Sequence, residues 1–207
     1  MQFPDFFAVA PVIRVRDPLA EFLGAAEGGI IDYRYEDVVR LAGHSCPTVA
    51  SAFLMTRAAL AALFGAGLPV RGEIRVDLAQ PRDAGVTGVI ASIATLITGA
   101  TADSGFHGLA GHFNRRNKLF FDQALSLGDI RFTRLDNGAA VEVRADLARV
   151  PGSPRSGELM PLCLAGQASG AQTAEFRALW QDRVRRLLLE FFDDPAVICV
   201  SSACRDG

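Results

Sequence analysis

The chain has 207 residues, a formal net charge of −2 and a hydrophobic fraction of 50%. The length predicts one generous domain, and the composition excludes a disordered chain, a collagen-like repeat and a disulfide-dense miniprotein. The near-neutral charge argues against a basic nucleic-acid-binding protein. The N-terminus shows no secretory signal, and the most apolar segment, 47–64, contains Arg57 and is shorter than the ~20 residues that span a bilayer. We expect a cytoplasmic protein that binds neither nucleic acid nor membrane.

The first half of the chain predicts alternating helices and strands. In chain order these are a strand within residues 6–15, a helical turn over 18–24, helices over 35–42 and 47–64, a strand over 73–79 and a helix over 86–98. Gly43 ends the helix over 35–42, and Pro47 and Gly65 mark the start and the end of the next helix. The many β-branched residues in 86–98 leave a strand as an alternative there.

The second half predicts a small sheet and a closing helix. The expected elements are strands over 118–124, 129–135 and 139–145, loops over 151–161 and 166–170, and a helix over 172–192. The sequence Asp136-Asn137-Gly138 is a strong hairpin signal between the last two strands. This order predicts an α+β fold, with helices packed on a mostly antiparallel sheet.

The helix predicted over 47–64 is apolar almost all round. A helix without a polar face is either buried on several sides or placed in an interface between two copies of the chain. The second alternative predicts a homodimer.

The sequence Gly43-His44-Ser45-Cys46-Pro47 precedes this helix. His44 and Cys46 can converge on one point, and imidazole and thiolate are the ligand types that zinc prefers. The helix N-terminus also favours a thiolate at Cys46. The alternative is a structural turn in which Ser45 caps the helix and the His44 and Cys46 side chains only pack.

A polar, glycine-rich segment over 99–117 contains the other two histidines, His107 and His112. They are accompanied by Asp103 and by the pair Arg115-Arg116. The segment is either part of a functional site or a surface loop with solvated side chains. The four cysteines are widely spaced and form no C-x-x-C pair. The two nearest the C-terminus, Cys199 and Cys204, either pair or are inert.

The residues of the first motif resemble a known family. Gly43-His44-Ser45-Cys46-Pro47 and its helix resemble the G-H-x-C-P-G motif of the FmdE family of formylmethanofuran dehydrogenase components. Gly99-Ala100-Thr101 resembles that family's G-C-T turn, and the order of elements is similar over residues 36–190. The resemblance implies an FwdE/GAPDH-domain-like fold with a helix–strand–helix–three-strand core, often dimeric, over residues 36–192. Residues 1–35 would then be an N-terminal extension and residues 193–207 a C-terminal tail.

The resemblance also implies a metal site, usually described as zinc, with His44 and Cys46 as ligands. Two positions depart from the family's pattern, because Ala100 replaces its second cysteine and Thr48 its glycine. A substitute ligand is then required. The nearest candidates are His107 and His112, and a more distant one is Cys163.

Three functions follow from these residues. In the first, His44 and Cys46 hold zinc or a similar ion, and a small-molecule or anionic ligand binds at an open metal position near Arg115 or Arg116. In the second, the chain is a dimeric accessory or interaction protein whose His and Cys are structural. In the third, Cys46 is the nucleophile of a metal-independent enzyme, with His107 or His112 as its base.

Overall fold

The computed structural model of the chain describes residues 2–202. The described helices are α1 (Pro18–Phe22), α2 (Tyr35–Ala42), α3 (Pro47–Phe64), α4 (Thr87–Thr98), α5 (Pro154–Leu164) and α6 (Gly170–Leu189). The described strands are β1 (Ile13–Arg16), β2 (Ile30–Tyr33), β3 (Ile74–Leu78), β4 (Leu119–Phe120), β5 (Ile130–Arg134), β6 (Ala140–Ala145) and β7 (Ile198–Ser202). The fold is α+β, as the sequence predicts.

Five strands form the main sheet in the order β4-β3-β5-β6-β7. The β3–β4 pair is parallel and the other three pairs are antiparallel, so the sheet is mostly antiparallel as expected. β1 and β2 form a separate antiparallel pair. One face of β3 and β5 presents Ile74, Val76 and Phe132 to the core, because side chains alternate between the two faces of a strand.

Helix α3 lies at the centre of the molecule. It packs on β5, β6 and β7 and is flanked by α2, α4 and α6. Residues from Val49 to Leu60 are largely buried, which explains a helix without a polar face. Within residues 2–202 it is the one helix long and apolar enough to cross a membrane, but 61% of it is buried inside the chain, as in a core helix. The first alternative for this helix, burial on several sides, is confirmed. The homodimer stays a prediction.

Local sequence signals place the ends of α2 and α3 correctly. Gly43 adopts the left-handed conformation (φ 74°) that ends α2, a position glycine tolerates without strain. Pro47 occupies the first turn of α3, where its missing N–H costs nothing. The segment 87–98 is a helix, so its 3.6-residue periodicity outweighs its β-branched content.

Several predicted elements are wrong. The predicted loop over 151–161 is mostly helix α5, because Ser153 caps it and Leu159 anchors it in the core. Only 119–120 of the strand predicted over 118–124 is strand. The strand expected within residues 6–15 is present as β1, which begins at Ile13 and extends to Arg16. The strand β2 was not predicted. The C-terminal segment contains β7, which pairs with β6 along five residues.

Candidate functional site

The turn between α2 and α3 holds the first predicted motif. Cys46 is the N-cap residue of α3, and its Sγ accepts a hydrogen bond from the Val49 N–H at 3.4 Å. The cap is therefore Cys46 and not Ser45. No histidine of the described chain hydrogen-bonds to the Cys46 sulfur.

Ser45 instead connects this turn to α6. Its Oγ donates to Gln181 Oε1 at 3.1 Å and accepts from the Tyr35 hydroxyl at 3.0 Å. Its carbonyl accepts from Trp180 Nε1 at 3.1 Å and from Gln181 Nε2 at 3.2 Å. Burial raises the pKa of the Tyr35 hydroxyl, so this group stays protonated and keeps its donor role. These bonds hold the motif rigidly against α6.

His44 is exposed next to this anchored residue. Its Nδ1 lies 2.9 Å from the Ala42 carbonyl oxygen. A carbonyl only accepts, so Nδ1 is the donor, and Nε2 is the ring nitrogen left to contact a ligand. His44 can therefore contact a ligand while its ring orientation is held by the backbone.

A cavity of about 540 Å³ opens beside His44. Its walls are largely aromatic, formed by Phe3, Phe7, Phe176 and Trp180, with Arg177 also in the lining. The Phe176 and Trp180 rings lie 5.7 Å apart. A cavity of this size, with apolar walls and few polar groups, is typical of small-molecule sites.

Arg177 is the cation of this cavity. It is exposed, and its guanidinium forms no hydrogen bond or ion pair with any of the residues 2–202. The neighbouring arginines of α6 are paired, since Arg185 and Arg186 both contact Asp182. Arg177 is thus available to an anionic group of a ligand.

The other two predicted histidines lie elsewhere. His107 and His112 are both exposed on the loop after α4, and His112 forms a tight backbone turn with Leu109. His112 lines a separate, smaller cavity of about 170 Å³ together with Arg71 and Arg115.

The described structure does not gather the predicted ligands into one group. His44 lines the aromatic cavity, whereas His112 lines the smaller one. Ala100 is fully buried directly after α4. Within residues 2–202 no group of three or more His, Cys, Asp or Glu side chains is arranged to hold a metal ion.

The residues that the structure describes do not fit a zinc ion held by one chain, because zinc sites use three or four protein ligands. Cys163 lies in α5 and Cys199 in β7, and neither forms a disulfide within residues 2–202. Cys204 lies outside the described residues, so its pairing with Cys199 stays a prediction.

An ion cluster in the core was missed by the sequence reasoning. Asp17, which is 3% exposed, accepts from Arg71 Nη1 at 2.8 Å and from Arg115 Nη2 at 2.7 Å. Burial raises the pKa of Asp17, but the hydrogen bond from Arg71 and the charge of Arg115 outweigh it, so the net shift is downward. Asp17, Arg71 and Arg115 come from distant parts of the chain, and no local pattern links them.

Neither the protein-family models nor the curated proteins that were compared with the chain give a match. The resemblance to the FmdE family therefore rests on the motif residues and the order of elements.

Proposed function

We propose that the chain is a small-molecule-binding protein that takes an apolar anion into the aromatic cavity beside His44. The observation that supports this proposal most directly is the unpaired Arg177 in a cavity whose walls are aromatic. The ligand class is an organic carboxylate or sulfonate with a ring or chain of modest size.

The chemistry of the walls defines this ligand. Aromatic side chains bury large apolar area and favour stacking with a flat ligand body. The cation of Arg177 attracts the anionic group, and His44 Nε2 accepts a hydrogen bond from a hydroxyl or amide of the ligand. The hydrogen bonds of Trp180 and Gln181 to the Ser45 carbonyl hold the lining in place before a ligand binds, which lowers the entropic cost of binding.

We also propose that the fold is the FwdE/GAPDH-domain-like core of the resembled family. Two observations support it. The order α3, β3, α4, then three strands and the closing helix α6 is the order expected of that core, and His44 and Cys46 precede a buried helix. The proposed ligand site needs no metal.

Fluorescence of Trp180 tests the binding proposal, because this is the single tryptophan of the chain and it lines the cavity. The probe is 8-anilinonaphthalene-1-sulfonate, an aromatic sulfonate that accepts energy from tryptophan. We expect saturable, one-to-one energy transfer from Trp180. The variant Arg177→Gln should weaken binding about five- to tenfold, equivalent to ~1 kcal/mol for one exposed charge pair.

The matched control is Arg144→Gln, which removes an exposed arginine on β6, away from the cavity. It should bind the probe like the wild type. Equal affinity in the wild type and in the Arg177→Gln variant, or probe binding without energy transfer, would contradict the proposal.

The zinc prediction has its own measurement, elemental analysis of the wild type beside the His44→Ala/Cys46→Ser double variant. Because residues 2–202 contain no group of three ligands around the His44–Cys46 turn, we expect far less than one zinc per chain in both proteins. Stoichiometric zinc that disappears in the double variant would show that a second chain, or residues 203–207, complete a metal site.

A further inference from the structure

The cavity lined by His112 contains an excess of positive charge. Asp17 is the one carboxylate that pairs with both Arg71 and Arg115, at 2.8 and 2.7 Å. Glu73 also lines this cavity, and its carboxylate lies 3.7 Å from the Lys118 ammonium, so three cations share two carboxylates here. One positive charge is therefore uncompensated.

Arg115 is the guanidinium with too few partners. Its side chain is 7% exposed, and its Nη1 is buried without a hydrogen-bond acceptor within the described chain. The other guanidinium is better satisfied, because Arg71 donates to Asp17 and twice to the Leu96 carbonyl oxygen. Burial lowers the pKa of Arg115, as expected for a cation that lacks compensation.

The backbone is shaped around this cation. Gly72 has φ +90°, and a Cβ atom there would lie 1.7 Å from Arg115 Nη1. A Cβ atom at Gly99 would lie 2.9 Å from the same nitrogen. Two glycines thus leave the space that the guanidinium occupies. A buried, under-paired cation is unfavourable for stability and marks a site where an anion can bind.

We infer that this cavity, lined by Arg71, Arg115 and His112, binds a small oxyanion such as a phosphate group. Its volume of about 170 Å³ accommodates one tetrahedral oxyanion. Arg115 provides the buried charge, Arg71 lines the same cavity, and the exposed His112 ring adds a donor at its mouth. Guanidinium groups are well suited to phosphate because their fork of N–H donors matches two oxygens.

Isothermal titration of the full chain with inorganic phosphate at constant ionic strength tests this inference. We expect one saturable site, and a three- to tenfold weaker affinity in His112→Gln, whose exposed side chain can change without loss of the fold. The matched control is Arg116→Gln, the adjacent exposed arginine outside the lining, which should bind phosphate like the wild type.

A second variant, Arg115→Met, should abolish the site. Since it also leaves Asp17 with one partner fewer, its fold is checked first by circular dichroism, and His112→Gln keeps the inference testable if it unfolds. A parallel titration uses phenyl phosphate. Tighter binding of inorganic phosphate would indicate that the site takes the free anion, and tighter binding of phenyl phosphate would indicate the phosphate group of a larger ligand. Saturable binding of either probe supports the site.

Absence of saturable heat with both probes would overturn the inference, as would equal affinities in the wild type and His112→Gln. Phosphate should not displace 8-anilinonaphthalene-1-sulfonate, because the aromatic cavity and the phosphate cavity share no lining residue. The two sites can therefore fail independently.

Discussion

Replacement of Asp17 by Asn tests the ion cluster that joins three distant parts of the chain. The asparagine keeps the shape and the Oδ1 acceptor that caps α1 through the N–H groups of Leu19 and Ala20. It removes the charge between Arg71 and Arg115. Loss of one partner from a buried pair typically costs 3–5 kcal/mol, and we expect about 3 kcal/mol because Arg71 is 21% exposed and partly screened by water.

Urea unfolding followed by Trp180 fluorescence measures this loss. The matched control is Asp32→Asn, which breaks the exposed pair with Arg14 and should cost less than about 1 kcal/mol. Asp17→Ala should cost about 1 kcal/mol more than Asp17→Asn, since it also removes the helix cap. Equal losses in Asp17→Asn and Asp32→Asn would refute the reasoning.

The difference in unfolding free energy between the wild type and Asp17→Asn should depend on pH, and its sign follows from the pKa of Asp17. The pKa of Asp17 is lowered in the folded state from its ordinary value of 3.8. The carboxylate therefore contributes its full stabilisation above the unfolded pKa and loses it as the pH falls through the folded pKa. The stability difference between the wild type and Asp17→Asn should be constant between about pH 5 and about pH 7, and shrink below about pH 4. A difference that grows on acidification would contradict the assignment.

Three further substitutions have defined outcomes. Glu142→Gln replaces the carboxylate that accepts the N–H groups of Ser126–Gly128 by an amide. It should lower the free energy of unfolding by about 2 kcal/mol and speed hydrogen exchange of those three amides, as measured by mass spectrometry. Unchanged exchange would contradict this role. Cys46→Ala should lose about 1 kcal/mol in urea unfolding while Cys46→Ser loses nothing, because serine is a preferred N-cap, and equal losses would exclude the capping role. Gly72→Ala should lower the urea midpoint of unfolding far more than Gly111→Ala. Both glycines have φ between +84° and +90°, but only at Gly72 does a buried guanidinium occupy the place of the new Cβ atom. Similar shifts of the midpoint would mean that the Arg115 guanidinium moves freely.

Local chemistry predicts the centre of the fold well. The bounds of α2 and α3 follow from Gly43, Pro47 and Gly65, because each acts within one helical turn of its own position. The helix α4 follows from its apolar periodicity. Pairing within the sheet is less visible from the sequence. The segment of β4 pairs with β3 along two residues only, and β7 becomes a strand because β6 offers it an edge.

Helix α5 shows where composition is misleading. A segment rich in Pro, Gly and Ser is typical of a loop, but here Ser153 caps the helix and Pro154 occupies its first turn. Pro161 lies inside the helix. Leu159 is fully buried where α5 packs on α6, which compensates for these weak helix formers, and this packing depends on the tertiary structure.

The candidate sites were also predicted only in part. The sequence identifies His44, Cys46 and His112 as candidate site residues, and both histidines line cavities. It cannot predict which other residues share each cavity. In the folded chain His44 and His112 line two different cavities, which share no lining residue.

By itself, the sequence predicted an α+β fold, the start and end of the all-apolar helix α3, and the His44–Cys46 turn that precedes it. These features depend on the periodicity of apolar residues and on signals a few positions apart, so a short stretch of sequence is enough to predict them. The tertiary structure alone decided that Trp180 and Arg177 of α6 line one cavity with His44, and that Asp17 lies between Arg71 and Arg115. Long-range contacts of this kind depend on how the helices and strands pack, because the sequence separation of Asp17 and Arg115 carries no periodic signal.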